Sequence, residues 1–206
     1  MTPSDLEKGK FILDAGCGNG RYAYQASKYG GEVIGIDIGT RTVESAYENC
    51  RKFRNITIIQ ADIFNLPFKP ETFDTIFSIG VLHHTGNAKE AFNSLVRVLK
   101  PNGVITVHLY HRLNPIWEFN DYLLRTFTTR MSIENNLKFA EFMSKLARTI
   151  YRINPKLLSF LNLFFRIQPT LHHMYDWYSA PIATHHTYDE VEKWFIRNGL
   201  KIIQTN

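Results

Sequence analysis

Three glycines at alternate positions, Gly16, Gly18 and Gly20, follow the apolar run FILDA and precede the helix-like stretch RYAYQASKYG. Glycines at that spacing strip a turn of side chains, so that a ligand can lie against the backbone amides where a helix begins. A purely structural turn would explain one or two of them, whereas three directly after a strand point to ligand binding. Asp37 ends the next apolar run, EVIGID. A carboxylate there is placed to accept both hydroxyls of a ribose.

Dinucleotides and S-adenosylmethionine both suit this layout, and Asp14 separates them. A carboxylate at the end of the first strand repels a pyrophosphate but attracts an ammonium or a sulfonium, directly or through water. The charge argument favours the cationic nucleoside over the cofactor of a nicotinamide-dependent oxidoreductase. Asp62 closes the run NITIIQAD, where its carboxylate and the next amide can meet the polar edge of an adenine. Ile63 and Phe64 would supply apolar contact to the ring.

All eight histidines fall between positions 83 and 186. His84 and His83 follow the fourth strand candidate at its carboxyl end and are the first choices for a general base acting on an acceptor hydroxyl. Which of the two faces the cavity is open. His185 and His186, ahead of the last helix, are further candidates, with Tyr110 as a reserve. Most of the histidines read equally well as helix caps or polar rims, and the pairs lack zinc-type spacing, so no metal is expected. Cys17, inside the glycine turn, reads as a packing residue, and with Cys50 it makes no redox motif.

Strands must hold these residues in place. KFILDA, EVIGID, NITIIQAD, FDTIFSIG and GVITVHLY are the candidates, separated by helical patterns such as Val43, Ala46, Tyr47 and Cys50. That alternation predicts an α/β fold, a Rossmann-like doubly wound sheet, mostly parallel, with ligands at the carboxyl ends of its strands. Residues 112 to 180 break the rhythm. There Ile116, Phe119, Leu123 and Phe127 form one helical stripe, and Phe139, Phe142, Met143, Leu146 and Ile150 form another. A third helix starts at Pro155, so a helical cap is inserted after the fifth strand. Thr187 and Glu190 form a capping box that opens a last helix, followed by a strand, LKIIQ. The expected domains are 1–111 with 181–206, which bind the cofactor, and 112–180, which cover the substrate.

ILDAGCGNG, the acidic end of EVIGID, QADIFNLPF with Asp62, FDTIFSIGVLHH with Asp74, and LKPNGVITV together resemble the successive motifs of the class I S-adenosylmethionine-dependent methyltransferases. The resemblance is to their small-molecule branch, which includes quinone and sterol methyltransferases, and covers about residues 10–110 and 185–206. It implies S-adenosylmethionine as cofactor, with Asp14, Gly16 and Gly18 on the methionine part and Asp37 on the ribose. It further implies that Asp62 and Ile63 hold the adenine and that Gly80 and Val81 line the site under the sulfonium. Asp74 reads as a solvated strand-start residue rather than a ligand contact. The family's sheet has seven strands, the seventh lying between the fifth and sixth, while this sequence stops after its sixth candidate. The expectation is a piece of a longer protein, or a slot filled by a rearranged strand or a neighbouring subunit.

The expected function is methyl transfer to a small-molecule or lipid-linked acceptor, with a hydroxyl oxygen ahead of other atoms. The alternative is a cofactor-binding, non-catalytic module that partners another subunit. Nucleic acid is not expected, because SIGVLHH lacks the Asn/Asp-Pro-Pro-aromatic turn that grips a flipped base, and no Pro-Cys pair is present. Residues 112 to 175 hold nine Lys/Arg against four acids, which locates the net charge of +5 in the helical segment. Solvated helix faces explain this excess, as does an anionic substrate or peripheral membrane contact through 112–175. Self-association stays open. The absence of a secretion-type start, of paired cysteines and of any apolar run of roughly 20 residues leads to an expected cytoplasmic location, with or without membrane association.

Overall fold

The computed structural model describes residues 1–205. Five strands, β1 (Phe11–Ala15), β2 (Glu32–Asp37), β3 (Ile56–Gln60), β4 (Phe73–Ile79) and β5 (Leu99–His108), form one sheet in the order β3-β2-β1-β4-β5. Every pairing in it is parallel. Helices α1 (Arg21–Ser27), α2 (Thr40–Cys50) and α3 (Ala88–Val98) make the crossovers. After β5 come α4 (Pro115–Thr128), α5 (Ile133–Ile153), α6 (Pro155–Leu161) and α7 (Leu171–Ser179), and then α8 (Tyr188–Arg197).

The central strands are apolar on both faces because helices cover both. Leu13 and Ile76 pack with Phe92, Leu95, Val98 and Trp194 on one side, while Ile12 and Phe77 pack with Ala23, Ala26 and Val33 on the other. The direction of winding reverses at β1, which pairs with β2 on one edge and β4 on the other. That reversal opens a crevice beyond the carboxyl ends of β1 and β4, where a doubly wound sheet takes its ligand.

The chain divides into two compact units, one comprising Met1–Tyr110 and the segment from His186 onward, the other His111–His185. In the first, Thr187 Oγ1 accepts the Glu190 amide at 3.2 Å to open α8, and Gly199 closes it in a left-handed conformation. The expected sixth strand, LKIIQ, is not one, since residues 200–205 pair with no strand among the described residues. An apolar run becomes sheet only where a neighbour completes its hydrogen bonds, and no described residue fills the slot beside β5.

In the helical unit, α4 buries Trp117, Asp121, Arg125 and Thr128. The apolar stripe of Ile116, Phe119, Leu123 and Phe127 lies on the opposite side and is exposed. The polar face can be buried because its charges satisfy one another: Arg125 Nε donates to Asp121 Oδ2 at 2.8 Å, and Trp177 Nε1 donates to Asp121 Oδ1. Helix α5 divides its apolar stripe: Met143 and Ile150 pack into the core with Leu158 and Ile167, and the Phe139 ring lies 5.2 Å from that of Tyr178. The buried line of α5 is Asn136, Ala140, Ser144 and Ala147, small residues that let neighbours approach closely, while Phe142 and Leu146 are exposed.

Candidate functional site

The turn after β1 is held by backbone bonds from the Gly16 and Cys17 amides to the Ile36 carbonyl, both 2.8 Å. Gly16 has φ +83°, and a Cβ there would overlap the Val81 methyl groups. Glycine is therefore required by both conformation and space. Gly18, at φ +55°, borders open space, and so does Gly80 across the switch point. These two positions leave the backbone bare where a ligand would lie.

Two carboxylates flank this cradle. Asp37 Oδ2 accepts the Gly18 amide at 3.1 Å and Oδ1 accepts the Gly39 amide at 3.0 Å, which fixes the carboxylate while each oxygen keeps a lone pair. Asp14 is buried, and its Oδ2 has no hydrogen-bond partner among the described residues. Burial, reinforced by the Asp37 charge and opposed by the Ala23 amide, pushes its pKa up to about 7. An orphaned buried carboxylate oxygen fits a cationic group and misfits a pyrophosphate.

Asp62 closes the turn after β3, where Oδ1 accepts the Phe64 amide at 2.9 Å and Oδ2 the Asn65 side-chain amide at 3.2 Å. Ile63 is partly buried against the main core. The Cys17 thiol is pushed up to about 12, first by burial and then by the two aspartates, so it is no nucleophile near neutral pH. Asp74 is not the solvated residue expected: its Oδ2 accepts the Phe11 amide at 2.9 Å and Lys100 Nζ at 2.8 Å, tying together the starts of three strands.

Beyond Gly80 the chain does not continue as strand, because Leu82–His84 coil into a 3-10 turn. His83 is buried and stacks on Tyr110 with ring centroids 3.7 Å apart, while His84 is half-buried and meets the Tyr110 ring edge-on at 5.4 Å. The His186 amide donates to the Tyr110 carbonyl at 2.9 Å, and His186 Nδ1 lies 3.2 Å from Glu190 Oε1. Tyr110 is the hub that sequence reasoning held only in reserve. No spacing rule links it to positions 83 and 186; the parallel pairing of β4 with β5 does.

His185 departs from its neighbour. It sits in the helical unit, with Nδ1 2.8 Å from Glu118 Oε2, its ring stacked on Trp177 and edge-on to Trp117. Burial there lowers its pKa despite the Glu118 carboxylate. The His83 and His84 rings thus pack on Tyr110, His186 joins it through a backbone bond with its ring 4.9 Å from that of Trp194, and His185 belongs to a separate cluster.

A doubly wound parallel sheet with a glycine turn, a strand-end acid and a buried carboxylate at the switch point is the layout of a nucleoside-cofactor domain. A methyltransferase domain family matches residues 6–152, and the chain belongs to the class I S-adenosylmethionine-dependent methyltransferases, whose cofactor is S-adenosylmethionine. The chain is 36% identical over 109 residues to the tRNA (carboxymethyluridine(34)-5-O)-methyltransferase of Arabidopsis thaliana, covering 51% of this chain and 25% of that protein. It is 35% identical over 101 residues to the demethylmenaquinone methyltransferase of Tropheryma whipplei, covering 48% and 41%. Among solved structures, the YcgJ protein from Bacillus subtilis superposes with a TM-score of 0.53 at 28% identity, covering 60% of this chain and 59% of that one. The chain therefore spans less than half the length of either curated relative.

Proposed function

We propose that the protein transfers a methyl group from S-adenosylmethionine to a hydroxyl oxygen of a small-molecule or lipid-linked acceptor. The observation that carries this reading is the orphaned, buried Oδ2 of Asp14 at the end of β1, on the strand that leads into the glycine turn. In this reading Asp14, Gly16 and Gly18 hold the methionine part, Asp37 the ribose, Asp62 with Ile63 the adenine, and Gly80 with Val81 the floor of the site. Residues 1–111 with 181–206 then form the cofactor-binding domain, and 112–180 cover the acceptor. The bound cofactor supplies a methyl group already activated by its sulfonium, which leaves positioning and proton removal to the protein.

His84 is the preferred base. It is more accessible than His83, and the Tyr110 ring limits the directions it can take. It would accept the hydroxyl proton as the acceptor oxygen loses it. His83, stacked on the same ring, orients that pair, and His186 is the reserve.

Isothermal titration against S-adenosylmethionine tests the cofactor site. Asp37→Ala is expected to weaken binding by roughly tenfold or more, since charge-assisted ribose bonds contribute about 1.5–3 kcal/mol each. Transfer of labelled methyl groups into quinols, lipid-linked alcohols and tRNA tests the acceptor. His84→Ala should lower turnover by roughly a hundredfold while affinity stays within a few-fold. Binding without turnover on every acceptor would favour the non-catalytic module, and methylated tRNA would replace the acceptor class.

A further inference from the structure

Part of the apolar stripe of α5 is turned away from its own unit, while Met143 and Ile150 pack inward, and cations run along one flank of the exposed part. Phe142, Leu146 and Ile153 are 62%, 39% and 78% exposed, and they lie on the side opposite the buried Asn136, Ala140, Ser144 and Ala147. At 100° per residue, Lys138, Lys145 and Arg152 line one flank of that stripe, with Arg148 further round. Asn154 then caps the short α6, accepting the Lys156 and Leu157 amides, and this helix exposes Leu157 and Phe160 beside Lys156. Glu134 and Glu141 pair with Lys138 and Lys145, and the Arg148 charge also acts on Glu141, whereas Arg152 and Lys156 form no ion pair among the described residues.

An exposed apolar stripe on helices that carry five cations against two acids is what a lipid interface takes up. A protein partner would cover the stripe but leave the cations needing acids, and RNA would meet the cations but leave Phe142, Leu146 and Ile153 in water. An anionic bilayer accepts both, because acyl chains take the stripe while headgroups take the guanidinium and ammonium groups. No described helix is long and apolar enough to cross a membrane, so the contact is with one surface.

We propose that α5 and α6 dock this protein onto an anionic lipid surface, with Phe142, Leu146, Ile153, Leu157 and Phe160 inserted and Arg148, Arg152 and Lys156 on the headgroups. The claim concerns binding and does not depend on the acceptor or the cofactor. The test is sedimentation of the full chain with vesicles of phosphatidylcholine mixed with phosphatidylglycerol, against phosphatidylcholine alone. Binding is expected to the mixed vesicles and to weaken as salt is raised. Arg148→Glu with Arg152→Glu should lower partitioning by roughly tenfold or more, and Phe142→Gln with Leu146→Gln by a similar factor. All substituted side chains are exposed, and unchanged circular dichroism and unchanged S-adenosylmethionine affinity would show the fold intact. The proposal is overturned by equal binding to both vesicle types, or by variants that bind as well as the parent. It is also overturned if the chain binds no vesicle, whether or not it dimerises or retains tRNA through these same residues.

Discussion

Helix α4 of the helical unit uses apolar periodicity in the opposite way to the helices of the α/β unit. In the α/β unit the periodic face is the buried face: Phe92, Leu95 and Val98 of α3 and Trp194 of α8 pack onto the sheet. In the helical unit α4 buries Trp117, Asp121, Arg125 and Thr128 and turns Ile116, Phe119, Leu123 and Phe127 outward. A hydrophobic stripe establishes that a helix has two sides. Which side faces its own core depends on what the other side can pair with, and here an Asp–Arg pair and a tryptophan outcompete the aliphatic stripe.

The sharpest way to break this contrast is Trp117→Ala. Its ring is buried against Trp177 and His185, so truncation should cost about 3–5 kcal/mol in urea unfolding. A loss near zero would mean that α4 packs through its other face. In the α/β unit, Gly16→Ala places a side chain in a left-handed conformation against Val81. A cost of about 1–3 kcal/mol is expected, with weaker cofactor binding, read by thermal unfolding and calorimetry.

A subtler test uses pH, to which the units respond with opposite sign. The Asp14 pKa is raised to about 7, so above the unfolded carboxylate value of about 3.9 the native state holds a proton that the unfolded state has lost. Stability of the cofactor-free α/β unit should therefore fall as pH rises toward 7. The His185 pKa is lowered, so below its ordinary value the unfolded state takes up a proton that the native state refuses. The helical unit should lose stability as pH falls below about 6.5. Asp14→Asn should flatten the first dependence and His185→Gln the second, measured as melting temperature across that range. Asp14→Asn should also stabilise the free protein above pH 7 while weakening S-adenosylmethionine binding, because the charge that destabilises the empty site is the one proposed to hold the ligand.

The smallest effect belongs to the outward stripe. Phe119→Gln on α4 should change unfolding free energy by no more than about 0.5 kcal/mol. A larger loss would show that the stripe is covered within the folded chain.

Much of the α/β unit was legible because its determinants are local. Runs such as EVIGID alternate with helical spacing, glycines at 16, 18 and 20 demand a turn, and acids at strand ends fall at the ligand edge of a parallel sheet. The orientation of His83 and His84 was not legible, since strand alternation ends at Gly80 and a 3-10 turn puts one imidazole inside and the other at the rim. Nor did adjacency keep His185 with His186, because the boundary between the units falls between them. LKIIQ has a strand's composition without a strand's neighbour.

By itself the sequence determined the parallel architecture, the cofactor-type turn and the positions of Asp14 and Asp37, because short-range spacing and backbone conformation carry that information. Tertiary structure alone decided that Tyr110 joins the histidines, that Asp14 keeps an orphaned oxygen, and that α4 turns its apolar stripe outward. Each of those depends on which distant group arrives to share or withhold a hydrogen bond, a choice made when the pieces pack and not along the chain.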